Sequence, residues 1–112
     1  MNDWLPVATR ADVMAQKAIL VWLADDWTVA IFAVNGDFYV VDARCTHQDE
    51  WLHTGNIDPD TCEVTCPLHN ARFNLKTGAP TQGPAAAPLT VYPLHVDANG
   101  MLWLQKIAPW WR

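Results

Sequence analysis

The stretch Trp27-Thr28-Val29-Ala30-Ile31-Phe32-Ala33-Val34-Asn35-Gly36-Asp37-Phe38-Tyr39-Val40-Val41 decides the fold class. Eight residues rich in β-branched and aromatic side chains run up to Asn-Gly, the dipeptide that tolerates the positive φ angles of a type I′ turn, and Phe38 to Val41 return as the paired strand. Upstream, Ala18 to Leu23 is a further apolar run that ends at Asp25-Asp26, so three strands are predicted as a meander. Downstream, Cys62 to Thr65 and Phe73 to Leu75 are short strand candidates, the second closed by a turn at Thr77-Gly78. Leu89 to Val96 and Met101 to Ile107 form a last hairpin around Asp97-Ala98-Asn99-Gly100, with Pro93 placing its first strand at an edge or bulge. The run Gly83-Pro84-Ala85-Ala86-Ala87-Pro88 cannot be regular sheet, because proline lacks the ladder donor, and it reads as an ordered loop. A single helical turn at most is expected within Ala11 to Ala18, capped by Asp12. The whole reads as all-β and antiparallel.

The 112 residues suffice for one domain, 1–112, and no repeat or linker divides them. A hydrophobic share of 51% against 17% charged, where about 25% charged is usual, describes a chain that folds around a dense core. Net charge −5 argues against nucleic acid and against an anionic membrane surface as partners. No run approaches the roughly 18 apolar residues of a membrane span, and Met1 to Pro6 lacks the basic start of a signal peptide, so the expected compartment is the cytoplasm. Three cysteines form an odd set in such a chain, which makes metal ligation the reading to test before a disulfide framework.

Two clusters each pair a thiol with an imidazole: Cys45-Thr46-His47 and Cys66-Pro67-Leu68-His69, with eighteen residues between His47 and Cys66. Structural zinc sites usually group their cysteines and their histidines separately. In an extended chain residues i and i+2 lie on one side about 6.5 Å apart, a spacing that suits ligands reaching two different metals better than one small ion. A [2Fe-2S] cluster with cysteines on one iron and histidines on the other meets that pattern. Two thiolates bring its oxidised core to neutrality, whereas four would leave it at −2, so the mixed site accepts an electron more readily.

These motifs resemble the Rieske [2Fe-2S] family. Arg72-Phe73, Thr77-Gly78, the proline-rich run 83–88 and Tyr92-Pro93 continue the resemblance over nearly the whole chain. It implies a Rieske-like antiparallel β-sandwich or barrel with a small cluster-binding subdomain over roughly 43–88, holding one [2Fe-2S] cluster. Cys45 and Cys66 would ligate the inner iron, and His47 and His69 the outer one through Nδ1.

High-potential members, those of cytochrome bc complexes, add two cysteines that join the ligand loops. Here Leu68 stands at one of those positions and Gln48-Asp49-Glu50-Trp51 follows His47, so that bridge cannot form. Where they carry a serine and a tyrosine hydroxyl, this chain has Ala71 and Phe73. Losing hydrogen bonds to the cluster pushes the potential toward the low end of the Rieske range, about −150 mV. The resemblance therefore implies a low-potential ferredoxin like those of bacterial aromatic-ring dioxygenase systems. Such a protein takes electrons from an NAD(P)H-dependent flavoprotein reductase, passes them to a terminal oxygenase and turns over no organic substrate. Two other readings stay open: a Rieske-fold small subunit of an assimilatory nitrite reductase-like enzyme, and a zinc-stabilised binding module using the same four ligands.

The chain departs from the ferredoxin pattern at Gln48, where glycine is common, and by about two extra residues, placed in a surface turn near Asp58-Pro59-Asp60-Thr61. Cys62 reads as a buried strand thiol, and His53 and His95 as ordinary satisfied histidines. Trp51 either flanks the cluster in a docking surface or serves loop packing. Trp110-Trp111-Arg112 is a partner contact or packs back on the barrel. Asp49, Glu50, Asp58, Asp60 and Glu63 make the ligand-loop region acidic, either as a steering field or as a solvated face.

Overall fold

The structure, a computed structural model, describes residues 4–25, 27–44, 51–67, 70–83 and 87–105. Its centre is the predicted meander: β2 (Ala18–Ala24), β3 (Trp27–Val34) and β4 (Asp37–Asp42). Asn35 and Gly36 sit at φ 52° and 85°, the two positive angles the Asn-Gly turn demands, which sets Val34 opposite Asp37 and Phe32 opposite Tyr39. Val29 to Phe32 are wholly buried, so β3 is covered on both faces. Ala30, Phe32 and Val34 enter one core with Val41, whereas Val29 and Ile31 enter a second with Val40. The two-residue period of a strand makes β3 a wall common to both cores.

The second core lies against a three-stranded sheet of order β1-β11-β10, formed by β1 (Trp4–Thr9), β10 (Leu94–Val96) and β11 (Met101–Gln105). The hairpin around Asp97 to Gly100 is present, with Gly100 at φ 84° and Asp97 Oδ1 accepting the N–H groups of Asn99 and Met101. The single strand expected over Leu89 to Val96 is two strands in different sheets. Val91–Tyr92 (β9) pairs with β4, and after Pro93 the chain crosses to pair with β11. Pro93 has no N–H to continue a ladder, while its carbonyl accepts from Gln105 N at 3.0 Å.

The helix also exceeds its expectation. α1 covers Arg10–Gln16, about two turns, and its cap is Thr9, whose Oγ1 accepts from Asp12 N at 3.2 Å. Burial of Val13 in the second core supplies what local propensity alone does not.

A third sheet, order β5-β6-β7-β8, packs on the first core. It comprises Asn56–Asp58 (β5), Glu63–Thr65 (β6), Arg72–Asn74 (β7) and Pro80–Gln82 (β8), with Val64 paired to Phe73 and both wholly buried. Pro59, Asp60 and Thr61 are exposed in the β5–β6 turn, where the surface turn was expected. Asn35 Nδ2 donates to Pro59 O at 2.9 Å and ties this turn to the central hairpin.

Candidate metal centre

Of the four predicted ligands, Cys66 lies among the described residues; Cys45, His47 and His69 fall outside them. The structure therefore speaks through the two necks from which the ligand motifs depart. The first is closed by an antiparallel bridge between Arg44 and Trp51 and by Leu52 N donating to Ala43 O at 2.8 Å, so the chain meets itself on either side of 45–50. At the second, Cys66 N donates to Ala71 O at 2.7 Å and Asn70 N to Cys66 O at 3.1 Å, with Asn70 in the left-handed region at φ 61°. Ala43, Leu52, Cys66 and Ala71 are all fully buried in one hydrophobic cluster. Two necks separated by a long stretch of sequence thus share one floor.

Gly55 shows how closely they approach. A Cβ built there would lie 2.1 Å from the carbonyl oxygen of Thr65, the residue before Cys66. Its φ of −78° suits any residue, so glycine is required by space alone. At Gly78 both reasons apply: φ is 79°, and a Cβ would meet Leu89 O at 2.2 Å. Leu89 N donates back to Gly78 O at 2.8 Å, which anchors the end of the proline-rich run, whose residues 84–86 are outside the described set.

Trp51 is packed on several sides. The Arg44 guanidinium lies 4.4 Å over its ring, Trp22 meets it edge-on at 5.8 Å, and His53 at 6.4 Å. Trp22 has no signal in sequence beyond its place in an apolar strand, yet it is 55% exposed. His53 departs from the satisfied histidine expected of it: its Nδ1 is buried with no hydrogen-bond partner among the described residues, and burial pushes its pKa below the usual value. His95 is exposed on β10 and meets Trp4 edge-on.

Cys62 is buried, as expected, but stands in the turn before β6 at φ 56° rather than in a strand. Tyr39 adjoins it, and burial first, then the thiol, raise the phenol's pKa. Part of the acidic set is internally used. Arg72 Nη2 bridges Glu63 at 2.8 Å and Asp58 at 3.2 Å. The Asp60 N–H, then Arg72, hold the Asp58 carboxyl below the usual carboxylate value. Asp49, Glu50 and the Trp110-Trp111-Arg112 segment lie outside the described residues.

The predicted donor set is thiolate plus imidazole, and Cys66, the one of the four candidates among the described residues, sits wholly inside an apolar floor shared by both necks. A donor set of two thiols and two imidazoles fits a [2Fe-2S] cluster by its chemistry. What the fold and the paired necks define is an antiparallel β domain whose two Cys/His motifs depart from one buried floor. The chain belongs to the Rieske [2Fe-2S] domain family, whose model matches residues 3–93.

The ferredoxin subunit of 3-phenylpropionate/cinnamic acid dioxygenase from Escherichia coli K12 is 45% identical over 71 residues. That match covers 63% of this chain and 66% of the relative, just under two thirds of its length. The ferredoxin of carbazole 1,9a-dioxygenase from Nocardioides aromaticivorans IC177 superposes with TM-score 0.83 at 26% identity, over 93% of this chain and 98% of that one. A chain from a complex of reduced oxygenase and oxidised ferredoxin in carbazole 1,9a-dioxygenase gives TM-score 0.82 at 28% identity, covering 96% and 100%. The all-β expectation and the family resemblance are both borne out.

Proposed function

We propose that this chain is a low-potential Rieske ferredoxin. It would carry single electrons from an NAD(P)H-dependent flavoprotein reductase to the terminal oxygenase of an aromatic-ring dioxygenase system, as a cytoplasmic electron-transfer component that catalyses no reaction itself. The observation that carries this reading is the common buried floor of Ala43, Leu52, Cys66 and Ala71, which brings together the necks of two Cys/His motifs. The names of similar proteins supply the system. Among the described residues no helix is long and apolar enough to cross a membrane.

Cys45 and Cys66 would hold the inner iron and His47 and His69 the outer one; the cluster supplies reversible one-electron chemistry. The chain's own contribution would be to bury the Cys66 thiol and to set the potential. Ala71 and Phe73 are both fully buried in the cluster that contains Cys66, and neither offers a hydroxyl. Such an apolar setting disfavours the added negative charge and supports the low end of the potential range.

The test is aerobic expression, iron and acid-labile sulfide analysis, and EPR of the reduced protein. Two irons and two sulfides per chain and an EPR signal that appears on reduction are expected. Colourless protein with one zinc, even after reconstitution, would sink the electron-carrier reading in favour of the structural module.

A further inference from the structure

Among the described residues three large hydrophobic side chains are exposed, and Trp22 is the most exposed of them. More than half of its surface stays open although one edge packs on Trp51. β2 is an edge strand of the central sheet, and Trp22 shares the strand face of Leu20, which packs on the site-bearing core. That face turns the indole toward the first ligand neck, where it meets Trp51. Trp51 pairs in turn with Arg44, the residue directly before ligand Cys45. An unbroken aromatic surface therefore runs from the edge strand to the root of the ligand loop.

We propose that Trp22, backed by Trp51, is an anchor by which the terminal oxygenase docks on this chain. The proposal rests on the ferredoxin reading and adds the surface. A partner must cover the histidine side of the cluster to take its electron, and an interface of standard size, about 800 Å² per side, is a disc roughly 16 Å in radius. Centred on the first neck, at Arg44 and Trp51, such a disc includes the Trp22–Trp51 pair. Exposed tryptophan is the side chain most enriched at binding hot spots, because a large rigid apolar surface is desolvated at little entropic cost. Around the pair the sequence is acidic, with Asp25 and Asp26 after β2 and Asp49 and Glu50 before Trp51. The complementary oxygenase surface is an apolar recess rimmed by basic side chains. The oxygenase is chosen over the reductase because a chain of closely similar fold has been solved in complex with its oxygenase.

The experiment uses dithionite-reduced holoprotein, wild type and the variants Trp22→Ala and Trp22→Phe, matched for iron and sulfide. Oxidation is followed by stopped-flow absorbance with two acceptors. One is tris(phenanthroline)cobalt(III), which needs no docking surface. The other is the oxygenase of the Escherichia coli 3-phenylpropionate/cinnamic acid system. Trp22→Ala should slow the second-order reaction with the oxygenase about tenfold or more, in the range of a hot-spot truncation, and Trp22→Phe should slow it less. Neither variant should change the cobalt reaction. Equal oxygenase rates for wild type and Trp22→Ala would overturn the proposal. So would a wild type that reduces cobalt but not the oxygenase. A wild-type protein that reduces neither acceptor would overturn the ferredoxin reading itself.

Discussion

Gly55→Ala is the substitution that bears most directly on how the metal centre is built. The new methyl would be placed 2.1 Å from Thr65 O and 3.2 Å from Leu52 O, against ordinary contact beginning near 3.4 Å. Both obstacles are backbone atoms, and Thr65 is held in β6 by its pairings with Asn56 and Arg72. Neither can turn aside as a side-chain tip can, so the two necks must separate by about an ångström. Overpacking of this kind costs about 1–3 kcal/mol, and a backbone-to-backbone clash belongs at the top of that range. For a domain of this size that lowers Tm by roughly 10 °C. Because the displaced strand leads straight into Cys66, iron and sulfide should be lost with stability.

Gly36→Ala provides the contrast. There a Cβ meets nothing within 4 Å, but φ is +85°, so the cost of about 1–2 kcal/mol is conformational and lies in the central hairpin, not at a neck. The assay is a thermal melt by circular dichroism paired with iron and sulfide analysis of each purified variant. Gly36→Ala should melt lower with its metal content intact. A Gly55→Ala protein that melts within about 2 °C of wild type and keeps its full cluster would refute the account of the necks.

Tyr92→Phe removes two bonds at once, the one Tyr92 accepts from Trp27 Nε1 at 3.0 Å and the one it donates to Asp42 Oδ1 at 2.7 Å, and should cost about 1–3 kcal/mol in urea unfolding with an unchanged m-value. The double substitution Ala71→Ser with Phe73→Tyr places hydroxyls in the floor beside Cys66, and protein-film voltammetry should show the midpoint rise by tens of millivolts, about 59 mV being tenfold for one electron. An unchanged midpoint would mean that positions 71 and 73 do not face the cluster. Asp97 is held below the ordinary carboxylate pKa of 3.8, first by the Trp103 indole N–H and then by the Met101 N–H. A depressed folded-state pKa means that its contribution is complete above the unfolded value and is lost as pH falls through the folded one. Melts from pH 6 to pH 2.5 should therefore show less acid sensitivity in Asp97→Asn than in wild type.

The β3–β4 hairpin was legible because its information is local: Asn-Gly fixes the turn, and the turn fixes the register. What sequence reasoning missed depends on partners far along the chain. β1 alternates Leu5 and Val7 but contains Pro6, and it becomes a strand by pairing with β11, nearly the whole chain away. β5 and β8 are three residues each, too short to show a period. Pro93 was readable as an interruption, yet that it hands the chain from one sheet to another is a fact of topology. The Cys/His motifs carried the family resemblance, whereas the necks from which they depart rest on Ala43, Leu52, Ala71 and Gly55, residues whose types are ordinary and whose meaning is spatial. Trp22 could not be told from the core residues of its strand until the sheet edge and the adjoining Trp51 were seen.

The first ligand neck grows out of β4, and the end of that strand is fixed from three directions. Ala43 N donates to Thr28 O on β3, Asp42 N donates to Thr90 O just before β9, and the Asp42 carboxylate takes the Tyr92 hydroxyl. One residue after Tyr92 the chain crosses at Pro93 into the terminal sheet, so the neck is tied to both layers of the base. The second neck reaches the same base by packing, through Val64, Phe73 and Leu75 against Ala30, Phe32 and Val41. Displacing one neck against the other would require either breaking the clamp on Asp42 and Ala43 or opening a wholly buried cluster. A carrier that changes charge by one unit per transfer benefits from that stiffness, because dipoles already in place need not reorganise as the electron arrives. The base sheets, whose described strands include none of the four predicted ligands, would thus act on the site by fixing the positions of the two necks.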